Sequence, residues 1–368
     1  MKNIVFLLLI TVTLGCGFNR EAVNPSPEKP ENIIFLIGDG MGLSAVTAGF
    51  YYGEGPSVFN RFNEIGLIST SSATHRVTDS GASGTAMATG IKTINKYVGL
   101  DTLKNPVSSI TEILSGAGWS TGIISTSSVT HATPASFYAH VESRYMEEIV
   151  ALQLLGSEID FFAGGGIKFF NRRQDGQDFF ALASEKGFIM DTTGLKGPES
   201  LQADRKYGFL LAQEWMPPAA MGRGDFLPDA TDLAINYLSR DRDGFFLMVE
   251  GSQIDKAGHD NNARYLISEM LDFEKAVCVA LDYAEKDGHT LVVVTADHET
   301  GGFSLSEGIN TETGRTDRRF IGPNFATGGH SATLIPVFAY GPGAEEFKGI
   351  YENCDIFHKM VALTVHPE

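Results

Sequence analysis

The sequence predicts an α/β fold in which a predominantly parallel central β-sheet carries helices on both faces. Three observations lead there. Apolar runs of strand length recur at residues 33–37, 122–125, 245–249, 291–295 and 337–340, and helical patterns separate them. The runs are continuously apolar rather than alternating, as expected of parallel strands covered on both sides. Polar clusters follow several of them directly, and open α/β sheets bind ligands beyond the carboxyl ends of their strands.

Residues 1–15 read as a signal peptide. Lys2 precedes an eleven-residue apolar or Thr-bearing run over 4–14, too short to cross the ~30 Å hydrocarbon of a bilayer. The run ends in Thr13-Leu14-Gly15-Cys16, which resembles the lipobox of bacterial lipoproteins, with Thr13 where Leu is usual. That implies a lipid on Cys16; an ordinary secretory signal with a bystander Cys stays open. Residues 16–31, with Pro25, Pro27 and Pro30, form a lipid-anchored or flexible tether. The expected location is the periplasm or, as a membrane-anchored lipoprotein, the bacterial envelope. Residues 32–368 are read as one α/β domain.

Within it, residues 229–238 and 263–286 show helical spacing after polar capping residues. Residues 308–329 are polar and Gly-rich and read as a long surface excursion. A disulfide between Cys278 and Cys354 is open to the sequence, but Cys278 lies in an apolar helical stretch, where a free thiol is common.

The 368 residues carry 28 Lys and Arg against 45 Asp and Glu, a formal net charge of -17, which excludes a sequence-independent nucleic-acid binder. Phosphate chemistry is not excluded. A 43% hydrophobic composition with 25 Phe excludes disorder throughout.

The polar clusters carry the chemistry. Gly38-Asp39-Gly40-Met41-Gly42 follows the first strand; taken singly, Asp39 could be only a helix cap. Glu250 ends an apolar strand, where a carboxylate must be paired, hydrated or metal-bound. Asp255 and His259 stand at i, i+4, a spacing that suits one shared cation or a surface ion pair. Asp297-His298 follows the strand 291–295, and His330 lies among glycines. Together these donors form a mixed oxygen and nitrogen set suited to Zn²⁺, with oxygen ligands left for Mg²⁺. With three cysteines in the chain, an open, catalytic metal site is favoured over a structural one. Ser80, at the head of a small-residue stretch over 78–86, is either a helix cap or a nucleophile activated by metal.

The stretches 33–42, 78–86, 249–259, 295–298 and 329–330 closely resemble, in order, the motifs of the alkaline phosphatase family. The resemblance implies a catalytic domain that hydrolyses small phosphate monoesters with two Zn²⁺ and one Mg²⁺. It places Asp255, His259 and His330 at the first zinc, and Asp39, Asp297 and His298 at the second. Asp39, Thr133 and Glu250 would hold the magnesium. Ser80 would be the nucleophile that carries a phosphoseryl intermediate, and Arg144 the phosphate-binding guanidinium. His131, where members carry Asp or His, and Lys256, where they differ, would lie near the phosphate or the third metal. A homodimer is also implied.

A phosphodiesterase or phosphomutase of the same superfamily remains open, although Arg144 and the Asp79-Ser80 pair suit a phosphate dianion. A sulfatase would need a different motif around its nucleophile. A non-catalytic metal-binding surface lipoprotein would be expected to lack Ser80, Arg144 or a metal ligand, and the chain has all of them.

Overall fold

The computed structural model describes residues 29–240 and 243–364. The signal peptide, Cys16 and the tether up to residue 28 lie outside the described residues. In chain order the strands are β1 (Asn32–Gly38), β2 (Glu64–Ser69), β3 (Ser120–Ser128), β4 (Phe161–Gly165), β5 (Phe188–Asp191), β6 (Lys206–Ala212), β7 (Phe245–Gly251), β8 (Thr290–Thr295), β9 (Glu299–Thr300), β10 (Ser304–Asn310), β11 (Arg315–Asn324), β12 (His330–Ser331), β13 (Ile335–Tyr340) and β14 (Gly349–Glu352). Ten of them make one sheet, ordered β14-β2-β13-β8-β1-β7-β3-β4-β6-β5.

β1, β7 and β8 lie side by side and in parallel, with every residue buried, which is why they read as unbroken apolar runs. Their register aligns Ile37 with both Glu250 and Thr295, so Asp39, Glu250 and Asp297 emerge at neighbouring points on the carboxyl edge. The 25-residue helix Ala263–Asp287 packs across these three strands and beside the helix Phe226–Leu238. The side chain of Asn262 caps its start by accepting from the Tyr265 N–H, and Gly288 ends it in a left-handed turn at φ 77°. Helices Ser80–Thr89, Ile110–Gly116 and Asp355–Thr364 pack together as a second group.

One expectation is corrected. Residues 337–340 do belong to the sheet, but β13 runs antiparallel to β8 and β2. A parallel return needs a crossover, usually a helix. Between β8 and β13 the chain instead builds β9 to β12 and re-enters from the carboxyl edge. The excursion at 308–329 is in large part a hairpin of β10 and β11, with Gly314 at φ 64° in its turn and a bulge between Glu307 and Gly308. Cys278 and Cys354 are both free thiols, half-buried rather than enclosed. Among the described residues no helix is long and apolar enough to cross a membrane.

Gly251, next to Glu250, faces the long helix: a Cβ there would stand 2.6 Å from the Phe273 ring, itself fully buried. Gly251→Ala is expected to destabilise the fold by about 1–3 kcal/mol through overpacking, read as a lower thermal midpoint.

Candidate metal centre

The carboxyl edge of the sheet gathers the donors into groups. Asp255 Oδ1, His259 Nε2 and His330 Nε2 stand 3.1 to 3.5 Å apart. Zn²⁺ bonded tetrahedrally at its usual distances would set its ligand atoms about 3.3–3.4 Å from one another. Each imidazole is aimed by its other nitrogen: His259 Nδ1 lies 2.8 Å from the Gly328 carbonyl and His330 Nδ1 2.9 Å from that of Thr78. A carbonyl only accepts, so each Nδ1 carries the proton and each Nε2 keeps its lone pair for a ligand. The helix Gln253–His259 supplies the i, i+4 pair on one face.

Next to it, His298 Nε2 lies 3.2 Å from Asp297 Oδ2 and 3.6 Å from Asp39 Oδ1. Asp297 Oδ1 accepts from the Gly40 and His298 N–H groups at 3.1 and 3.0 Å, which turns Oδ2 inward. Thr300 Oγ1 reaches both Asp255 Oδ1 (2.5 Å) and His298 Nδ1 (3.2 Å), joining the two groups. Gly40 is required by crowding and conformation alike: its φ is 73°, and a Cβ would lie 2.7 Å from the Asp255 Cα.

A third group joins Asp39, Glu250 and His131. Thr133 Oγ1 donates to Asp39 Oδ2 at 3.4 Å, and Ser125 donates to Glu250 Oε2. Three carboxylate oxygens here, Asp39 Oδ1, Asp297 Oδ2 and Glu250 Oε1, are buried with no hydrogen-bond partner. Such orphans cost free energy unless a cation meets them, and they lie within the three donor groups, so the residues present fit metal ions.

Burial and mutual repulsion set the titration. Asp39 is held well above the usual carboxylate range by burial first, then by Asp297, Asp255 and Glu250. Burial also raises Asp297 and pushes Glu250 up to about 8. Burial pushes His298 well below its usual range, with His330 adding to the effect, and burial with Arg144 does the same to His131.

Ser80 opens the helix Ser80–Thr89, and its Oγ lies 3.3 Å from His298 Nε2. The cap is Asp79, not Ser80: Asp79 Oδ1 accepts from the Ala82 and Lys96 N–H groups at 3.1 and 3.0 Å. Its other oxygen takes Arg144 Nη1 at 3.1 Å, while Arg144 Nη2 donates to His131 Nε2 at 3.0 Å. Lys96, at φ 78°, is the hinge of this arrangement, since its carbonyl accepts the Arg144 N–H at 2.9 Å. The double role of Asp79 and the part played by Lys96 are not visible in the sequence, because they depend on contacts across 17 and 65 positions. Lys256 is half-exposed and its ammonium pairs with Asp260 at 3.0 Å, on the solvent side of its helix.

Comparisons with known proteins bear on this geometry. A family profile described as Alkaline phosphatase matches residues 30–317. The chain belongs to the alkaline phosphatase family. The solved alkaline phosphatase from the Antarctic bacterium TAB5 is similar at 52% identity with a TM-score of 0.90, covering 93% of this chain and 99% of that one. Alkaline phosphatase 3 of Bacillus subtilis is 31% identical over 97% of this chain and 94% of its own length. The alkaline phosphatase of Escherichia coli is 31% identical over 93% of this chain and 87% of its own. As a family member the chain is a phosphomonoester hydrolase, and its donor groups are those of a metal-dependent one.

The raised carboxylates give a pH signature. Glu250 in the metal-free folded protein holds its proton up to about 8, whereas in the unfolded chain it releases it near 4.5. Where the folded state binds more protons, stability falls as pH rises. Below about 6.5 the depressed histidines act in the opposite sense, so the clean window lies above them. The thermal midpoint of chelator-treated protein should fall between about pH 7 and 8.5, and bound cations should remove that fall by keeping the carboxylates ionised. A flat or rising midpoint in chelator would contradict this electrostatic picture.

Proposed function

We propose that the chain transfers the phosphoryl group of a small phosphate monoester to Ser80 Oγ and then to water, with two Zn²⁺ and one Mg²⁺. The observation that carries the reading is the placement of Ser80 Oγ, 3.3 Å from His298 Nε2, at the head of a helix whose cap also grips Arg144. Asp255, His259 and His330 would hold one zinc, Asp39, Asp297 and His298 the other, and Asp39, Thr133 and Glu250 the magnesium. When bound, these cations supply charge neutralisation and lower the pKa of the hydroxyls they contact. In the TAB5 enzyme it is His-to-Asp and His-to-Glu variants that have been solved with Mg bound in the M3 site, whereas the third donor group here includes His131.

The chain's own residues then do the following. Arg144 has its guanidinium plane set by Asp79 and His131 and can grip two non-bridging oxygens of the dianion. The helix N-terminus places positive potential beside the same group. Ser80 Oγ gives up its proton to solvent and forms a bond to phosphorus as the bond to the leaving alkoxide breaks, and the alkoxide takes up a proton from solvent, so that one proton passes overall from Ser80 to the alcohol released. Water then attacks the phosphoserine, the Ser80 oxygen leaves, and inorganic phosphate is released. The transition state is largely dissociative, so positioning and charge do most of the work.

Export to the periplasm by residues 1–15, anchoring by a lipid on Cys16 and a homodimer belong to the same proposal. The dimer draws support from exposed apolar side chains on two adjoining elements: Leu43, Phe50 and Tyr51 on the helix Leu43–Tyr52, and Ile309 and Phe320 on the β10–β11 hairpin. Tyr52 bonds that helix to the hairpin through the Ile321 carbonyl at 3.1 Å.

The purified protein should hydrolyse an aryl phosphate monoester at alkaline pH, lose activity to a chelator and regain it with Zn²⁺ and Mg²⁺. Faster turnover of an aryl phosphodiester would favour the diesterase instead. Ser80→Ala should keep the fold and the metals while turnover drops by about 10³-fold or more; a near wild-type rate would mean another nucleophile.

A further inference from the structure

The segment after β6, residues 213–225, contains a short 3-10 turn at Ala219–Met221 and is held by a series of buried polar contacts. The Met216 N–H donates to the Thr126 carbonyl at 3.1 Å. The side-chain amide of buried Gln253 donates to the carbonyls of both Thr126 and Met216 at 2.8 Å, and Tyr265 donates to its oxygen at 2.6 Å. Further along, Arg223 donates to the Pro217 carbonyl at 3.1 Å and to Asp272 at 2.7 Å, and it also bonds Glu269. Glu269 accepts in turn from the Ala219 N–H at 2.7 Å. The side chains of Arg223, Glu269 and Asp272 are almost fully buried. Burying such a triad brings little net stability. Its contacts tie the loop to the long helix, and Trp215 is the residue of that loop whose ring meets His131.

Trp215 meets His131 edge-on, with ring centroids 5.0 Å apart and planes at 69°. His131 Nε2 accepts from Arg144 Nη2 at 3.0 Å. A guanidinium has no acceptor, so that nitrogen must offer its lone pair, and the bond survives only while the imidazole plane stays where it is. Asp79 anchors the other arm of the fork.

We infer that Trp215 is a positioning residue for the phosphate grip: by fixing the plane of His131 it fixes the second arm of Arg144. This rests on the reading of Arg144 as the group that binds phosphate. Without the indole, His131 can rotate about its Cβ–Cγ bond and Arg144 keeps one anchor instead of two. The consequence falls first on oxyanion binding, because the ring that Trp215 meets is the one whose Nε2 holds Arg144; His131 also stands in the third donor group, so metal content is read alongside.

The test is a double-mutant cycle on the metal-loaded enzyme, reading the dissociation constant of inorganic phosphate by calorimetry and the zinc and magnesium content per chain. Trp215→Ala should weaken phosphate binding by about tenfold, equivalent to about 1.4 kcal/mol, and raise KM more than it lowers kcat, with metal content unchanged. Trp215→Phe, which keeps a ring against His131, should recover most of the loss. Combined with Arg144→Ala, Trp215→Ala should add little, since both act through one guanidinium. Trp215→Leu keeps apolar volume without a ring and serves the same comparison if the alanine variant does not fold. The inference is overturned by phosphate affinity within twofold of wild type in Trp215→Ala and Trp215→Leu, by a full tenfold loss persisting on Arg144→Ala, by failure of Trp215→Phe to recover affinity, or by loss of metal. If Arg144→Ala alone leaves phosphate binding intact, the reading of Arg144 fails, and the inference with it.

Discussion

Three buried carboxylates crowded at one edge of the sheet sit at the centre of this structure. Asp39, Glu250 and Asp297 are each 0% exposed and stand at the ends of adjacent parallel strands; burial raises the proton affinity of all three, and the charge of Asp297 raises that of Asp39 and Glu250 further. The sheet register creates the crowding, because Ile37 is aligned with both Glu250 and Thr295. Such an arrangement is costly in an empty protein and favourable once positive charge fills it. With cations held there, the acidic chain would present an anion-binding site beside the helix N-terminus at Ser80.

Around the carboxylates, the protein fixes direction rather than adding charge. Backbone carbonyls of Gly328 and Thr78 hold the Nδ1 sides of His259 and His330, and two N–H groups hold one oxygen of Asp297. Thr300 ties Asp255 to His298. On the phosphate side, Asp79 couples the Ser80 helix to Arg144, and the left-handed backbone at Lys96 lets one residue serve both. Donor groups and a serine placed at strand ends and helix starts are held more rigidly than ones built on loops.

The parts of the fold that were legible in the sequence are those whose environment is uniform. β1, β7 and β8 are buried on both faces, so their residues are apolar without interruption and the polar residue that follows each stands out. The carboxylates stood out for the same reason, since one directly after such a run must cap a helix or be paired, hydrated or met by a cation. β2, β5 and β14 escaped because they lie at or near the sheet edges, where exposed and buried residues mix, and β4 and β6 escaped although mostly buried, β4 being only five residues long and ending in two glycines. The direction of β13 depends on how the chain leaves the site and comes back, which no local pattern encodes. Asp79, Lys96 and Trp215 act through partners distant in sequence, and only the folded chain brings those partners together.

The central claim is that cations hold this carboxylate edge together. Anomalous scattering at the zinc absorption edge, recorded from crystals of the metal-loaded protein, tests it most directly. The account predicts two peaks per chain at about 2.0–2.2 Å from ligand atoms, one among Asp255, His259 and His330, the other among Asp39, Asp297 and His298. Carboxylates hydrogen-bonded to one another with no peak between them would contradict it.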